Sequence, residues 1–136
     1  MSLYPKILVT IDCSPVDDAV LQHIVPLAIQ NGSQVFLLHV VHSHTLDEDR
    51  DLTADAKKTL DKYRQQLSDQ GIKAEVILRS GEPAPEICAE ILKQDFSLVA
   101  MATHGHSLLE SLLYGSVSRT LKQQVNIPIL LIPADK

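Results

Sequence analysis

A chain of 136 residues with 45% hydrophobic and only 4% aromatic content has material for one domain, 1–136, with an aliphatic core. Its formal net charge of −5 excludes the basic footprint of a nucleic-acid or anionic-membrane binder, and no apolar run is long enough to cross a bilayer. No charged start precedes an apolar h-region, so a cytoplasmic location is expected.

Lys6 to Ile11 (KILVTI) is a short apolar run of the kind that forms a parallel strand buried on both faces. Asp12-Cys13-Ser14-Pro15 breaks it. Ser14 is placed to cap the next helix, Pro15 fits its first turn, and Asp17 and Asp18 suit the positive end of its dipole. Val16, Val20, Ile24 and Leu27 share a helical face. Pro26 predicts a kink or a shortened last turn, and Asn31-Gly32 ends the helix. Gln34 to Val41 (QVFLLHVV) reads as the second strand, and His42 to Arg50 as a polar, irregular loop.

A longer amphipathic helix then carries Ala56, Leu60, Tyr63 and Leu67 on one stripe, with Gly71 as its stop signal. Lys73 to Arg79 is the third strand. Ser80-Gly81-Glu82-Pro83 turns the chain into a helix whose inner face is expected to hold Ile87, Cys88, Ile91 and Leu92. Ser97 to Met101 is the fourth strand. Val117, Leu121 and Val125 mark a last helix, and Ile127 to Ile132 (IPILLI) the fifth strand. Strict alternation of apolar strands with helices predicts an α/β fold, a parallel sheet wound by right-handed crossovers.

Between the fourth strand and the last helix lies Ala102-Thr103-His104-Gly105, then nine residues, then Gly115-Ser116. A strand end, two glycines and a helix start can wrap backbone amides around phosphate; the bland alternative is a pair of turn glycines. Neither GxxxxGK[ST] nor a GxGxxG after the first strand is present. Ligands of parallel sheets sit outside the strand ends where strand order reverses. If the fourth strand returns beside the first, the crevice opens between Asp12 and this loop. A carboxylate able to accept ribose hydroxyls then faces amides able to hold phosphate, which describes a nucleotide site. The alternative for Asp12 is a helix-start acid.

These segments resemble the universal stress protein family from end to end. The resemblance rests on ILVTID with a following Ser, on LLHVV, on SGEPA, and on Ala102-x-x-Gly105-x9-Gly115-Ser116. The last is similar to the G-x2-G-x9-G-[S/T] signature of the family's nucleotide-binding branch. The resemblance implies a Rossmann-like open five-stranded parallel sheet in the order 3-2-1-4-5 with helices on both faces. It also implies a homodimer through strand five (Pro128 to Pro133) and bound ATP, or AMP or ADP. Carried over by position, Asp12 takes adenine or ribose contacts, Val40 meets the adenine through its backbone, and Met101 and Ala102 lie along the adenosine. Gly105, Gly115, Ser116, Val117 and Ser118 hold the phosphates, with Mg²⁺ shared among phosphates and water rather than caged by protein. The implied role is a dimeric, nucleotide-dependent stress-response regulator.

Two departures stand out. Ala102 replaces the signature's first glycine, which strains the chain if that position needs positive φ and crowds the ligand if it needs room. His106 stands where many members carry Arg, giving the phosphates less counter-charge. Some members lack the signature and bind no ATP, so a nucleotide-free dimeric interaction module is the rival reading.

No P-loop lysine or nucleophile-elbow serine is present, so slow ATP hydrolysis is the most catalysis expected. An FMN site is disfavoured, since the turn after strand one lacks a Ser/Thr/Gly-rich run. His39, His42 and His44 read as surface histidines rather than metal ligands, and no metal site is assigned. His104 and His106 touch either phosphate or solvent. Tyr63 reads as helix packing, Asp47 to Asp51 as solvated loop and helix start, and Cys13 and Cys88 as small apolar side chains of a reducing compartment.

Overall fold

The computed structural model describes residues 3–42, 45–103 and 119–133. Five strands, β1 (Lys6–Thr10), β2 (Gln34–Val41), β3 (Ala74–Ser80), β4 (Leu98–Ala102) and β5 (Ile129–Ile132), form one sheet in the order β3-β2-β1-β4-β5. Every pairing is parallel, with Val9 opposite Leu37 on one side and Ala100 on the other. The helices are α1 (Val16–Asn31), α2 (Leu46–Asp69) and α3 (Pro83–Lys93), and residues 119–124 are also helical.

The apolar strands face two cores. Ile7 and Val9 of β1 meet α1 and α2 through Val20, Ile24, Leu60 and Leu67. Leu8, one position out of phase, meets Ile87, Cys88 and Ile91 of α3 together with Leu121. Alternate side chains pointing to opposite faces explain why β1 is apolar at every position from Ile7 to Val9. Right-handed crossovers explain the sorting of helices. A chain winding from β1 to β3 lays α1 and α2 on one face, and reversing toward β4 puts α3 on the other.

Local signals were offset at several points. Of the kink or shortened last turn expected at Pro26, the shortening does not occur, since the helix continues through Pro26 to Asn31 and closes on Gly32 at φ 62°. Pro26 and Gln22 both lie on the exposed face, where water can serve the carbonyl that proline leaves without an amide partner. The expected loop at 46–50 is instead the start of α2. Thr45 accepts a hydrogen bond from the Glu48 amide at 3.0 Å, so the Thr-x-x-Glu capping pattern, not the acidic run, sets the boundary. Leu92 is 72% exposed and does not join the inner face of α3. Glu90 takes that buried place, because Arg79 of β3 reaches its carboxylate at 2.7 Å.

Candidate functional site

Strand order reverses between β1 and β4, and the carboxyl ends of these central strands lie side by side. Asp12 follows β1 by two residues, and Met101 and Ala102 close β4. Val40 lies near the end of β2, the neighbour of β1 on its other side, and packs against the same core as Met101. The sequence-derived positions Asp12, Val40, Met101 and Ala102 therefore gather at one end of the sheet. Gly105, Gly115, Ser116, Val117 and Ser118, with His104 and His106, lie outside the described residues.

Ala102 is a strand residue paired with Ile132, not the first residue of the loop. Its methyl is 2% exposed and packs with the α1 core. Cys13 is the one non-glycine at positive φ among the described residues, so Ala102 needs no left-handed backbone. Of the two alternatives for alanine at this position, the one that requires positive φ does not apply.

The turn after β1 is built around a group that sequence reasoning assigned only to the helix dipole. Asp17 is 1% exposed, and its carboxylate accepts from the Asp12 amide (2.8 Å), the Ser14 amide (3.2 Å) and the Tyr63 hydroxyl (3.0 Å). These bonds hold Cys13 at φ 61°, a conformation that disfavours side-chain-bearing residues by about 1–2 kcal/mol. Ser14 does not cap α1. Pro15 is the N-cap, and the Ser14 hydroxyl donates instead to the Asp12 carboxylate.

Burial pushes the Asp17 carboxyl above its usual range, opposed by the Asp12 amide, the Tyr63 hydroxyl and the Ser14 amide. Burial, then the charges of Asp17 and Asp12, push the Cys13 thiol up to about 12. The Tyr63 hydroxyl is also raised, by burial and by Asp17, and so remains a donor.

His39 is not a surface histidine. It is partly buried in β2, with Nδ1 2.7 Å from the Ile11 carbonyl oxygen. Because a carbonyl only accepts, Nδ1 carries the hydrogen. Asp17, Tyr63 and His39 were legible as residues but not as a group, since they come from α1, α2 and β2. A buried acid within the first turn of α1, facing a tyrosine on the apolar stripe of α2, was the available signal. Thr10 adds a buried hydroxyl at the end of β1 with no hydrogen-bond partner among the described residues. By strand alternation it shares the face of Leu8 and Met101.

Among the described residues no three His, Cys, Asp or Glu side chains converge as metal ligands, and no helix is long and apolar enough to cross a membrane. A groove of about 420 Å³ between α1 and α2, lined by Leu21, Val25, Pro26 and Gln66, includes none of the strand-end residues.

An open parallel sheet with a polar turn at its point of reversal defines a doubly wound α/β protein, a class whose ligands sit outside the carboxyl ends of the strands. The universal stress protein family model matches residues 3–133, and the chain belongs to that family. It is 29% identical to the universal stress protein YxiE of Bacillus subtilis, over 96% of this chain and 99% of that one. The solved structure of protein MJ0577 of Methanocaldococcus jannaschii superposes with a TM-score of 0.83 at 27% identity, covering 98% of this chain and 99% of the other. A universal stress protein of Archaeoglobus fulgidus, solved in complex with dAMP, shares the fold at a TM-score of 0.72 and 24% identity, covering 96% and 98%.

Proposed function

We propose that this protein binds an adenine nucleotide, ATP with Mg²⁺ in its fullest form, in the crevice between the ends of β1 and β4. We propose further that it acts as a nucleotide-dependent regulator in the cytoplasm. The observation that carries this reading is the pinned turn at Asp12, two residues beyond the end of β1, at the sheet's point of reversal where β1 pairs with β4. Such a carboxylate suits ribose hydroxyls or the adenine edge, with Val40, Met101 and Ala102 forming the wall. Gly105, Gly115, Ser116, Val117 and Ser118 would wrap the phosphates. The dAMP held by the A. fulgidus relative supports the ligand class.

Binding rather than turnover fits a sequence without GxxxxGK[ST], since nothing of that kind reaches a γ-phosphate. Dimerisation through β5, from Pro128 to Pro133, belongs to the same proposal. That strand ends the sheet with Leu131 36% exposed, and pairing it with a twofold copy would cover an open apolar edge.

The test is to denature the purified protein, identify released nucleotide by chromatography, and titrate the stripped protein with Mg-ATP by calorimetry. Released adenine nucleotide or micromolar binding, abolished by Gly115→Val, is the expected result. No nucleotide and no heat would overturn the reading in favour of an interaction module that works through its dimer surface. Phosphate release at substantial rates, lost in Asp12→Ala, would make it an ATPase.

A further inference from the structure

The peptide unit joining Ile11 to Asp12 is held at both ends. Its carbonyl oxygen accepts from His39 Nδ1 at 2.7 Å, and its amide donates to Asp17 Oδ1 at 2.8 Å. Because a peptide is a rigid plane, fixing both polar ends removes rotation about the axis that sets the direction of the Asp12 Cα–Cβ bond. The Ile11 amide is itself tied to the Leu38 carbonyl of β2 at 2.7 Å. Beyond Asp12, the Ser14 amide and the Tyr63 hydroxyl both bond Asp17 Oδ2, while the Ser14 hydroxyl meets the Asp12 carboxylate. β2 and α1 thus fix the two ends of one peptide unit at the sheet's reversal point, and α2 backs the α1 carboxylate that does so. A turn that only had to start α1 would require none of this, since α1 begins after Pro15 without a side-chain cap.

We infer that Asp17 and His39, with Tyr63 behind Asp17, are positioning residues that aim the Asp12 carboxylate at the nucleotide. This rests on the nucleotide reading above. Asp17 is suited to the task because a carboxylate accepts at both oxygens, so it can serve the amides of Asp12 and Ser14 together. Asparagine cannot do so. Its one oxygen serves Oδ1's partner or Oδ2's partners, and its NH2 then faces a donor. His39 needs only a donor at the Nδ1 position, which asparagine can supply and leucine cannot.

Two readouts test the inference. Amide hydrogen exchange followed by NMR reports on the Asp12 amide without any nucleotide. Asp17→Asn and Tyr63→Phe should speed its exchange while Val9, in the centre of β1, keeps its protection. An unchanged Asp12 amide would overturn the clamp. Calorimetric titration with Mg-ATP then gives a double-mutant cycle. Asp17→Asn should weaken binding about tenfold in the native background and by much less when Asp12 is already alanine, the non-additivity of residues acting through one another. His39→Leu should behave like Asp17→Asn, and His39→Asn should restore affinity. Equal losses with and without Asp12 would show general destabilisation and refute positioning. If the native protein binds no nucleotide, the nucleotide reading falls and the assigned purpose with it, whereas the exchange data separately decide whether the clamp holds.

Discussion

Replacing Tyr63 with phenylalanine removes one hydroxyl from a site where the remaining partners are known. The aromatic ring still fills its place on the α2 stripe, so the change isolates the hydrogen bond to Asp17. A hydrogen bond to an ionised group is worth about 1.5–3 kcal/mol, and one between neutral groups about 1. Tyr63→Phe should therefore lower stability by about 2 kcal/mol where Asp17 is ionised, or about 6 °C in Tm for a domain of this size.

The effect should depend on pH, with a definite sign. The folded Asp17 carboxyl lies above its ordinary 3.8, chiefly through burial. As pH rises past 3.8, the unfolded chain loses this proton first. The native state then binds more protons, so this group's contribution to stability falls, by at most about 1.4 kcal/mol per pH unit, until the folded carboxyl ionises. Removing the Tyr63 donor raises that carboxyl further and extends the fall to higher pH. Urea denaturation of both proteins across acid and neutral pH measures this directly. The stability difference should grow from about 1 kcal/mol in acid to about 2 at neutral pH. A difference that is flat with pH, or below about 0.5 kcal/mol throughout, would refute the account of Asp17 as a buried carboxylate held by Tyr63.

Three further outcomes follow from the same geometry. With its thiol pushed up to about 12, Cys13 should react with a disulfide reagent at pH 8 at least about a hundredfold more slowly in the folded than in the urea-unfolded protein; comparable rates would contradict the burial. Arg79→Met should destabilise the fold by about 2 kcal/mol, discounted from a fully buried pair because the guanidinium is partly exposed, and Glu90→Gln should recover part of it in denaturant titrations. Ala102→Gly should lower stability by about 1 kcal/mol, from lost packing and added backbone freedom in β4, with nucleotide affinity unchanged in calorimetry. A tenfold change in affinity would mean that the methyl meets the ligand.

The candidate site was legible unevenly. Asp12 was readable because an acid directly after an apolar strand is a local feature, and the sheet's point of reversal gives it a place. Val40, Met101 and Ala102 rest on the family resemblance alone, and the sheet brings them to the same end as Asp12. Tyr63 does pack on the α2 stripe, but an apolar stripe hides the polar tip that meets Asp17, and β2 gives no local sign that the His39 ring meets a carbonyl. The Thr45-x-x-Glu48 pattern was present but outweighed by the polar run that follows it.

By itself, the sequence determined what depends on neighbours along the chain. Apolar periodicity specified strands and helices, Gly32 ended α1 in the left-handed conformation, and continuous apolar strands required a sheet covered on both faces. Tertiary structure alone decided what depends on distant residues sharing one place. It buried Asp17 beneath a tyrosine 46 positions away, brought His39 to a carbonyl 28 positions away, and turned Glu90 inward against Arg79. A backbone pattern is repaid locally, residue by residue, whereas a buried polar group is stable only where partners from several elements satisfy it.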